Sequence, residues 1–301
     1  MVNSTQLNTN MTSQVNKPSE TAILIISILM FLLFGIFVYF MVIILNIFFT
    51  TPQVRETARY ILFIHMLLND VVYLVVAFVL FLSAFSLTFI PVPICYVIVS
   101  FSTCSFCITP YNLAVMSLER YTAICHPLRH MELWTVKRAT LAIAYMWTVG
   151  MIPQLADFFT FCFSGGVFHF SVLCRWKSLS VSIAQEIIKT LTSILSFSMV
   201  GLIIAFTYIK VILVARRMDS EKFASKAGKT VLLHAFQLLL CMLSFASAFI
   251  EATFKSSVIN VPSMNFFLLM CIPRFVSPLI YGIRDEVFGK RMRRLFSTAR
   301  I

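Results

Sequence analysis

Charge is the scarcest ingredient of this chain. Only 12% of its 301 residues are Asp, Glu, Lys or Arg, against about 25% in soluble domains. Acids are rarer than bases, 12 against 24, which leaves a formal net charge of +12. With 59% hydrophobic residues and a mean hydropathy of +0.91, a soluble fold would leave large apolar patches in water. A soluble globular protein is thereby excluded and an integral membrane protein expected. Catalytic signatures are missing as well. The chain has no HExxH, GxSxG, Walker loop or GxGxxG and no cysteine pair at zinc-ligand spacing. No catalytic residue, metal or cofactor is expected, and no enzyme.

Stretches without charge set the architecture. A membrane-crossing helix needs about 20 mostly apolar residues. No charge occurs over 21–54, with the apolar part at 23–49. None occurs over 71–118 either, a run too long for one span, and "TFIPVPIC" with Pro91 and Pro93 divides it. Further spans read 139–158, 186–214, 228–250 and 261–283, making seven. Transmembrane strands would alternate over segments of about ten residues, whereas these runs are continuous. The expected fold is an all-α seven-transmembrane helix bundle over 22–283, preceded by a tail at 1–21.

Lysine and arginine set the orientation. With seven crossings, Lys17, Arg175, Lys177, Lys189 and Lys255 lie on the N-terminal side. The other eighteen, Arg274 apart, lie opposite, among them Arg55, Arg59, Arg129 and the "KRMRR" run at 290–294. Such residues accumulate on the cytoplasmic side, so the N-terminus is expected outside. The net charge then marks topology. Its dispersal over short loops and a tail argues against a nucleic-acid partner. The first twenty residues lack the basic region and cleavage site of a signal peptide. They carry two glycosylation acceptors, Asn3 and Asn10, and the first span is expected to be an uncleaved anchor. Cys95, Cys162 and Cys174 fall on the outer, oxidising side, where Cys95 has two candidate partners and connectivity stays open. Cys104, Cys107, Cys125, Cys241 and Cys271 read as small packing residues in or near spans.

Seven helices with short loops suit a receptor, a light-driven pump or a small transporter. A retinal pump needs a lysine in the last span, and 261–283 holds only Arg274. A transporter is expected to show paired broken helices or an inverted repeat, and neither is found. The stretch "MSLERYTAICHPLRH" at 116–130 puts Glu119, Arg120 and Tyr121 at the cytoplasmic end of the third span, with Pro127 breaking the helix. It resembles the E/D-R-Y motif of rhodopsin-like G-protein-coupled receptors. More narrowly, it resembles the "M-A-x-D-R-Y-x-A-I-C-x-P-L-x-Y" signature of odorant receptors. The likeness continues through Asn46, Asp70, Cys95 twenty-five residues before Arg120, and Trp147. "KAGKTVLLH" at 226–234 is similar to "K-A-x-x-T-x-x-x-H", and "SPLIYGIRDEVF" at 277–288 to "N-P-x-I-Y-x-x-R-N". The wording of "NLAVMSLERY" and "SPLIYGIRDE" resembles fish-type odorant receptors.

The resemblance implies a receptor that binds a small odorant-like ligand inside the bundle and activates a heterotrimeric G protein. The stimulatory G protein, raising cyclic AMP, is the expected one. The location implied is the plasma membrane, and the ciliary membrane of sensory neurons if the chain is of odorant type. A Cys95–Cys174 bridge is implied, and a short amphipathic eighth helix and tail over 284–301, with "GKRMRRLF" along the membrane. Glu119 is expected to hold Arg120 at rest. Arg120 and Tyr121 then meet the G protein when the sixth helix moves outward, with Tyr208 and Tyr281 holding the open state. Eighteen residues, five turns at 3.6 per turn, lead from Arg120 to a ligand pocket at Ser102, with Phe106 one turn below. Thr192, Ser196, Phe245, Phe249 and Phe267 are the counterparts on other helices. This aromatic cavity with a few hydroxyls suits small, largely apolar ligands. Arg216, Arg217, Lys222 and Lys226 are expected to meet the G protein or anionic membrane lipids.

Departures from the family pattern are specific. Ser277 replaces the "N-P" asparagine, the fifth and sixth spans lack their usual prolines, and Met242 stands at an aromatic position. Asp70 is an intramembrane acid, costly and functional by default, where the family places sodium. Arg274 lies about one turn from Ser277, and it is expected to pair with Asp70 and displace sodium. The alternative leaves Arg274 in a polar crevice and Asp70 hydrated or protonated. Read from the residues alone, Arg120 is an interfacial arginine beside a helix-end counter-ion, in a pair contributing about 0–1 kcal/mol. Two other functions remain: a non-olfactory rhodopsin-like receptor, or a transporter or channel lined by Asp70 and Arg274.

Overall fold

Hydrocarbon offers no partner to a backbone amide, so an apolar run satisfies its own N–H and C=O groups by forming a helix. A computed structural model of the chain describes residues 20–86, 88–163, 171–174, 179, 183–217, 236, 239–240 and 271–276. The order is α1 (Glu20–Thr50), α2 (Pro52–Arg55), α3 (Ala58–Phe85), β1 (Phe89–Pro91), α4 (Val92–Cys125), α5 (Pro127–Leu133), α6 (Val136–Phe163), β2 (Ser171–Leu173) and α7 (Ile183–Arg217). A helical stretch at 271–276 lies within the expected seventh span. Helices α1, α3, α4, α6 and α7 are long and apolar enough to cross a membrane. They are the first five expected spans. Most of the sixth and seventh spans, and all of the eighth helix, fall outside the described residues.

Prolines set the joints. Thr51 is extended, φ −119°, as the residue before a proline prefers, and Pro52 then opens α2. Pro93 sits in the first turn of α4, where a missing N–H removes nothing from the helix ladder. At the other end α4 stops at Cys125, and His126 turns the chain at φ −137°. Pro127 thus both ends the third span and starts the short helix α5. Helices α6 and α7 outrun the expected spans of 139–158 and 186–214. An apolar run marks only the part in lipid, whereas a helix continues until something caps it.

α4 is the axis of the bundle, in contact with α3, α6 and α7. The main core joins α1, α3, α4 and α6 to Val200 and Ile204 of α7 and to Cys271 and Phe275. Gly150 permits a close approach of α6 to α4: a Cβ there would sit 3.1 Å from Cys104 Sγ and 3.4 Å from Ile108 Cδ1. Small residues allow helix backbones to close up where lipid gives no hydrophobic drive between helices. Large apolar side chains such as Ile25, Leu32, Leu141 and Leu195 point outward, as lipid allows.

At one end β1 pairs antiparallel with β2, Phe89 opposite Leu173, Ile90 opposite Val172 and Pro91 opposite Ser171. A disulfide joins Cys95 to Cys174 across 79 residues, pinning this strand pair to the first turn of α4. Val92, Tyr96, Val99, Phe161 and Leu179 pack beneath it as a second, smaller core.

Candidate ligand and coupling site

Polar residues on α4 fall at Ser105, Thr109, Asn112 and Glu119, spacings of four, three and seven that put them on one helical face. All four are buried. Thr109, Asn112 and Glu119 find side-chain or backbone partners on neighbouring helices.

The middle of the stripe holds an ion pair. Arg274 Nη1 donates to Asp70 Oδ1 at 2.6 Å and to Thr109 Oγ1 at 3.0 Å. Thr109 in turn donates to Asp70 Oδ1 at 2.9 Å and accepts from Asn69 Nδ2 at 3.2 Å. A hydroxyl has one donor and two acceptor positions, and Thr109 uses all three. Asn69 Nδ2 also donates to the Ser105 carbonyl, 2.9 Å. The guanidinium carbon lies 3.8 Å from the centre of the Tyr73 ring and 5.4 Å from that of Phe106. Asp70 is 0% exposed and Arg274 6%. Asp70 and Arg274 are thus in direct contact, roofed by two aromatic rings. The guanidinium thus supplies the cation at Asp70 Oδ1 and Thr109 Oγ1, while Asp70 Oδ2, Asn69 Oδ1 and Ser105 Oγ are buried without a hydrogen bond among the described residues.

One turn further, Trp147 Nε1 of α6 donates to His65 Nε2 of α3 at 3.0 Å. His65 Nδ1 lies 3.1 Å from the Asn112 amide, whose Nδ2 donates to the Leu62 carbonyl at 2.9 Å. This set joins α3, α4 and α6 beside the close approach at Gly150.

At the α5 end, Glu119 Oε1 lies 2.9 Å from His130 Nε2 on α5. The expected partner is farther: Arg120 Nε is 3.9 Å from Glu119 Oε2, beyond hydrogen-bond reach. Tyr121 is half-buried, its OH 3.3 Å from His126 Nε2 and its ring 5.9 Å from that of Phe206. Tyr208 is half-buried on α7.

Of the expected pocket residues, Ser102 and Phe106 lie half-buried on α4. The Phe106 ring sits 6.0 Å from Tyr73 and 6.1 Å from Phe197. Thr192 returns its hydroxyl to its own helix, donating to the Ile188 carbonyl at 2.8 Å. Ser196 accepts from Tyr111 OH at 2.9 Å. Phe245, Phe249, Phe267, Tyr281, Asn3 and Asn10 lie outside the described residues. Cys95 and Cys174 are bridged, and Cys162 is an exposed free thiol.

A third buried acid, beside Asp70 and Glu119, was not singled out from the sequence. Asp157 of α6 accepts from Tyr96 OH at 2.6 Å and from Gln185 Nε2 at 2.7 Å. Lys189 Nζ lies 2.9 Å from its Oδ1. The cluster ties α4, α6 and α7 together. An Asp inside an otherwise apolar span was the available signal.

Buried charge threads the bundle, with a disulfide-tethered strand pair at one end and an acid–arginine pair at the other, an arrangement that fits a membrane receptor. Over residues 41–281 the chain matches the 7 transmembrane receptor (rhodopsin family), and it belongs to that family of multi-pass membrane receptors. It is similar to Odorant receptor 131-2 of Danio rerio, 33% identical over 208 residues, or 66% of this chain and 62% of that protein. It is also similar to Olfactory receptor 2M7 of Homo sapiens, 32% identical over 198 residues, 62% of each chain. Olfactory receptor 2M3 of Homo sapiens is 33% identical over 190 residues, 58% of this chain and 59% of the relative. The matched part thus spans 59–62% of the length of these relatives.

Proposed function

We propose that the chain is an odorant-type receptor that binds a small, largely apolar ligand within the bundle and activates a heterotrimeric G protein. In this reading the α5 end faces the cytoplasm, the N-terminus lies outside, and the protein resides in the plasma membrane, in the cilia of sensory cells. The stimulatory G protein, with a rise in cyclic AMP, is the output.

The observation that carries it is the corner where α4 meets α5. Leu128 is 92% exposed and Met131 80% exposed on α5, amid Arg120, Arg129 and Glu132. Apolar side chains projecting from a charged helix outside the lipid-spanning segment suit a protein partner. Similarity to proteins named odorant and olfactory receptors supplies the ligand class. Around Phe106, Tyr73 and Phe197 the interior is aromatic, which favours apolar ligands held by shape. The Asp70–Arg274 pair, mutually neutralised and capped by rings, favours a receptor over an ion pathway. We assign it the part of an internal counter-ion pair in place of sodium.

The test is a cyclic-AMP assay in cells expressing the full chain against a panel of small volatile and water-soluble compounds. A responding compound is expected to lose its effect in Arg120→Ala while that variant still reaches the cell surface. A response untouched by Arg120→Ala, or ligand-independent currents altered by Asp70→Asn, would overturn the receptor reading.

A further inference from the structure

The charged stretch at 116–130 contains two histidines that the coupling reading leaves without a part, and one of them touches its key acid. His130 Nε2 lies 2.9 Å from Glu119 Oε1, a full ångström nearer than Arg120 Nε is to Oε2. Glu119 is buried, whereas His130 and Arg120 are partly exposed. The acid is therefore shared between a permanent cation, Arg120, and an imidazole, and the short helix α5, not the neighbour in sequence, holds its nearer oxygen. The odorant-receptor signature quoted above ends in tyrosine where this chain has His130. A tyrosine hydroxyl donates a hydrogen bond without changing charge near neutral pH, whereas an imidazole gains a full positive charge between about pH 8 and 5.

We infer that His130 is a positioning residue for Glu119 and makes the hold of Glu119 on Arg120 sensitive to cytoplasmic protons. A neutral imidazole donates a hydrogen bond to Oε1 and leaves the carboxylate's negative charge to attract Arg120. A protonated imidazole keeps the same hydrogen bond and cancels that charge. It also places a second positive group against the acid that Arg120 needs. Both effects act in one direction, towards release of Arg120, so acidification raises ligand-independent coupling. Other charged or titratable groups on the elements around this corner are Arg59 of α3, His126 at the α4–α5 turn, Arg129 and Glu132 of α5, Lys210 of α7 beside Cys125, and Lys137 and Arg138 of α6, of which Arg138 donates to the Glu132 carbonyl at 2.8 Å. Arginines keep their charge throughout the relevant range. Glu132 belongs to α5 itself and stays with His130 whichever way Arg120 moves.

The inference rests on the coupling role proposed for Arg120. The experiment is nucleotide exchange on a purified stimulatory heterotrimer, catalysed by the full chain in lipid nanodiscs without ligand, at about pH 6.0 and 7.5. The wild-type rate, corrected for the heterotrimer alone, is expected to rise about two- to fivefold at the lower pH, the range open to a partly exposed pair. His130→Tyr, which retains a neutral donor, is expected to lose that rise, and Glu119→Gln to be high at both values. Equal pH profiles for wild type and His130→Tyr would overturn the inference while leaving the receptor reading intact. An Arg120→Ala variant indistinguishable from wild type at both pH values would instead remove the coupling role, and the inference with it.

Discussion

Arg274 and Asp70 stand 204 positions apart in sequence and 2.6 Å apart in space, joined through Nη1 and Oδ1. The pair lies inside the bundle, with Thr109 completing a triangle of hydrogen bonds around it. Two charges removed from water are costly, and their attraction repays that cost only with good geometry and further hydrogen bonds. Thr109, Asn69 and the face of Tyr73 supply those supports.

Removing one partner should therefore be far worse than removing both. Arg274→Met, which leaves Asp70 buried with its charge uncompensated, is expected to cost about 3–5 kcal/mol. The double variant Asp70→Leu with Arg274→Met is expected to recover most of that loss. Thermal unfolding in detergent checks this, and additive losses would show that the two side chains do not act as a pair.

Sodium should have no influence on the native chain. Replacing sodium by choline is expected to leave the unfolding temperature of the wild type unchanged, because the guanidinium already supplies the positive charge at Asp70 Oδ1 and Thr109 Oγ1. A sodium-dependent shift in the wild type would place the ion beside Asp70 after all.

Tyr73 contributes through its ring rather than its hydroxyl. Tyr73→Phe keeps the π face 3.8 Å from the guanidinium and is expected to be nearly silent. Tyr73→Leu is expected to lose about 0.5–2 kcal/mol from the cation–π contact alone, with a further loss from packing. The same unfolding assay distinguishes them, and a Phe variant as damaged as the Leu variant would shift the weight to the hydroxyl.

A β-branched side chain at Gly150 should be costly while Cys104 stays as it is. A Cβ at 150 meets Cys104 Sγ at 3.1 Å, and Gly150→Val is expected to cost about 1–3 kcal/mol by overpacking. Cys104→Ala removes the sulfur and is expected to restore part of the loss, which a double-mutant cycle reads directly. Independent effects would mean that Ile108 or a backbone shift sets the limit.

Asp157 is expected to matter more than Lys189, although the two form one pair. Asp157→Ala removes the acceptor shared by Tyr96, Gln185 and Lys189. Lys189→Met leaves Asp157 two neutral hydrogen bonds, and its own stem can reach lipid or water. Surface expression and thermal stability of the two variants give the ranking, and equal effects would contradict it.

How far the residues speak for themselves differs from place to place. Asp70 and Arg274 were conspicuous because charge in an apolar run is expensive wherever it lies, and that cost is local to the segment. Glu119 also stood out, yet its neighbour Arg120 proved the more distant partner. Adjacent residues on a helix point about 100° apart, so adjacency in sequence is poor grounds for contact, whereas α5 folds back and brings His130 to the acid. Asp157 passed unremarked inside a span because nothing in a linear reading gathers Tyr96, Gln185 and Lys189 around it.

By itself the sequence determined that this chain lives in a membrane, where its apolar segments cross, and which residues are anomalous within them. Hydropathy sums over contiguous residues, so local composition suffices for those conclusions. Only the tertiary structure decided which anomaly meets which. Partnership depends on the rotation and closeness of helices, and these are set by packing such as Gly150 against Cys104. That geometry turns Arg274 towards Asp70 under the ring of Tyr73, and gives Glu119 to His130 ahead of Arg120.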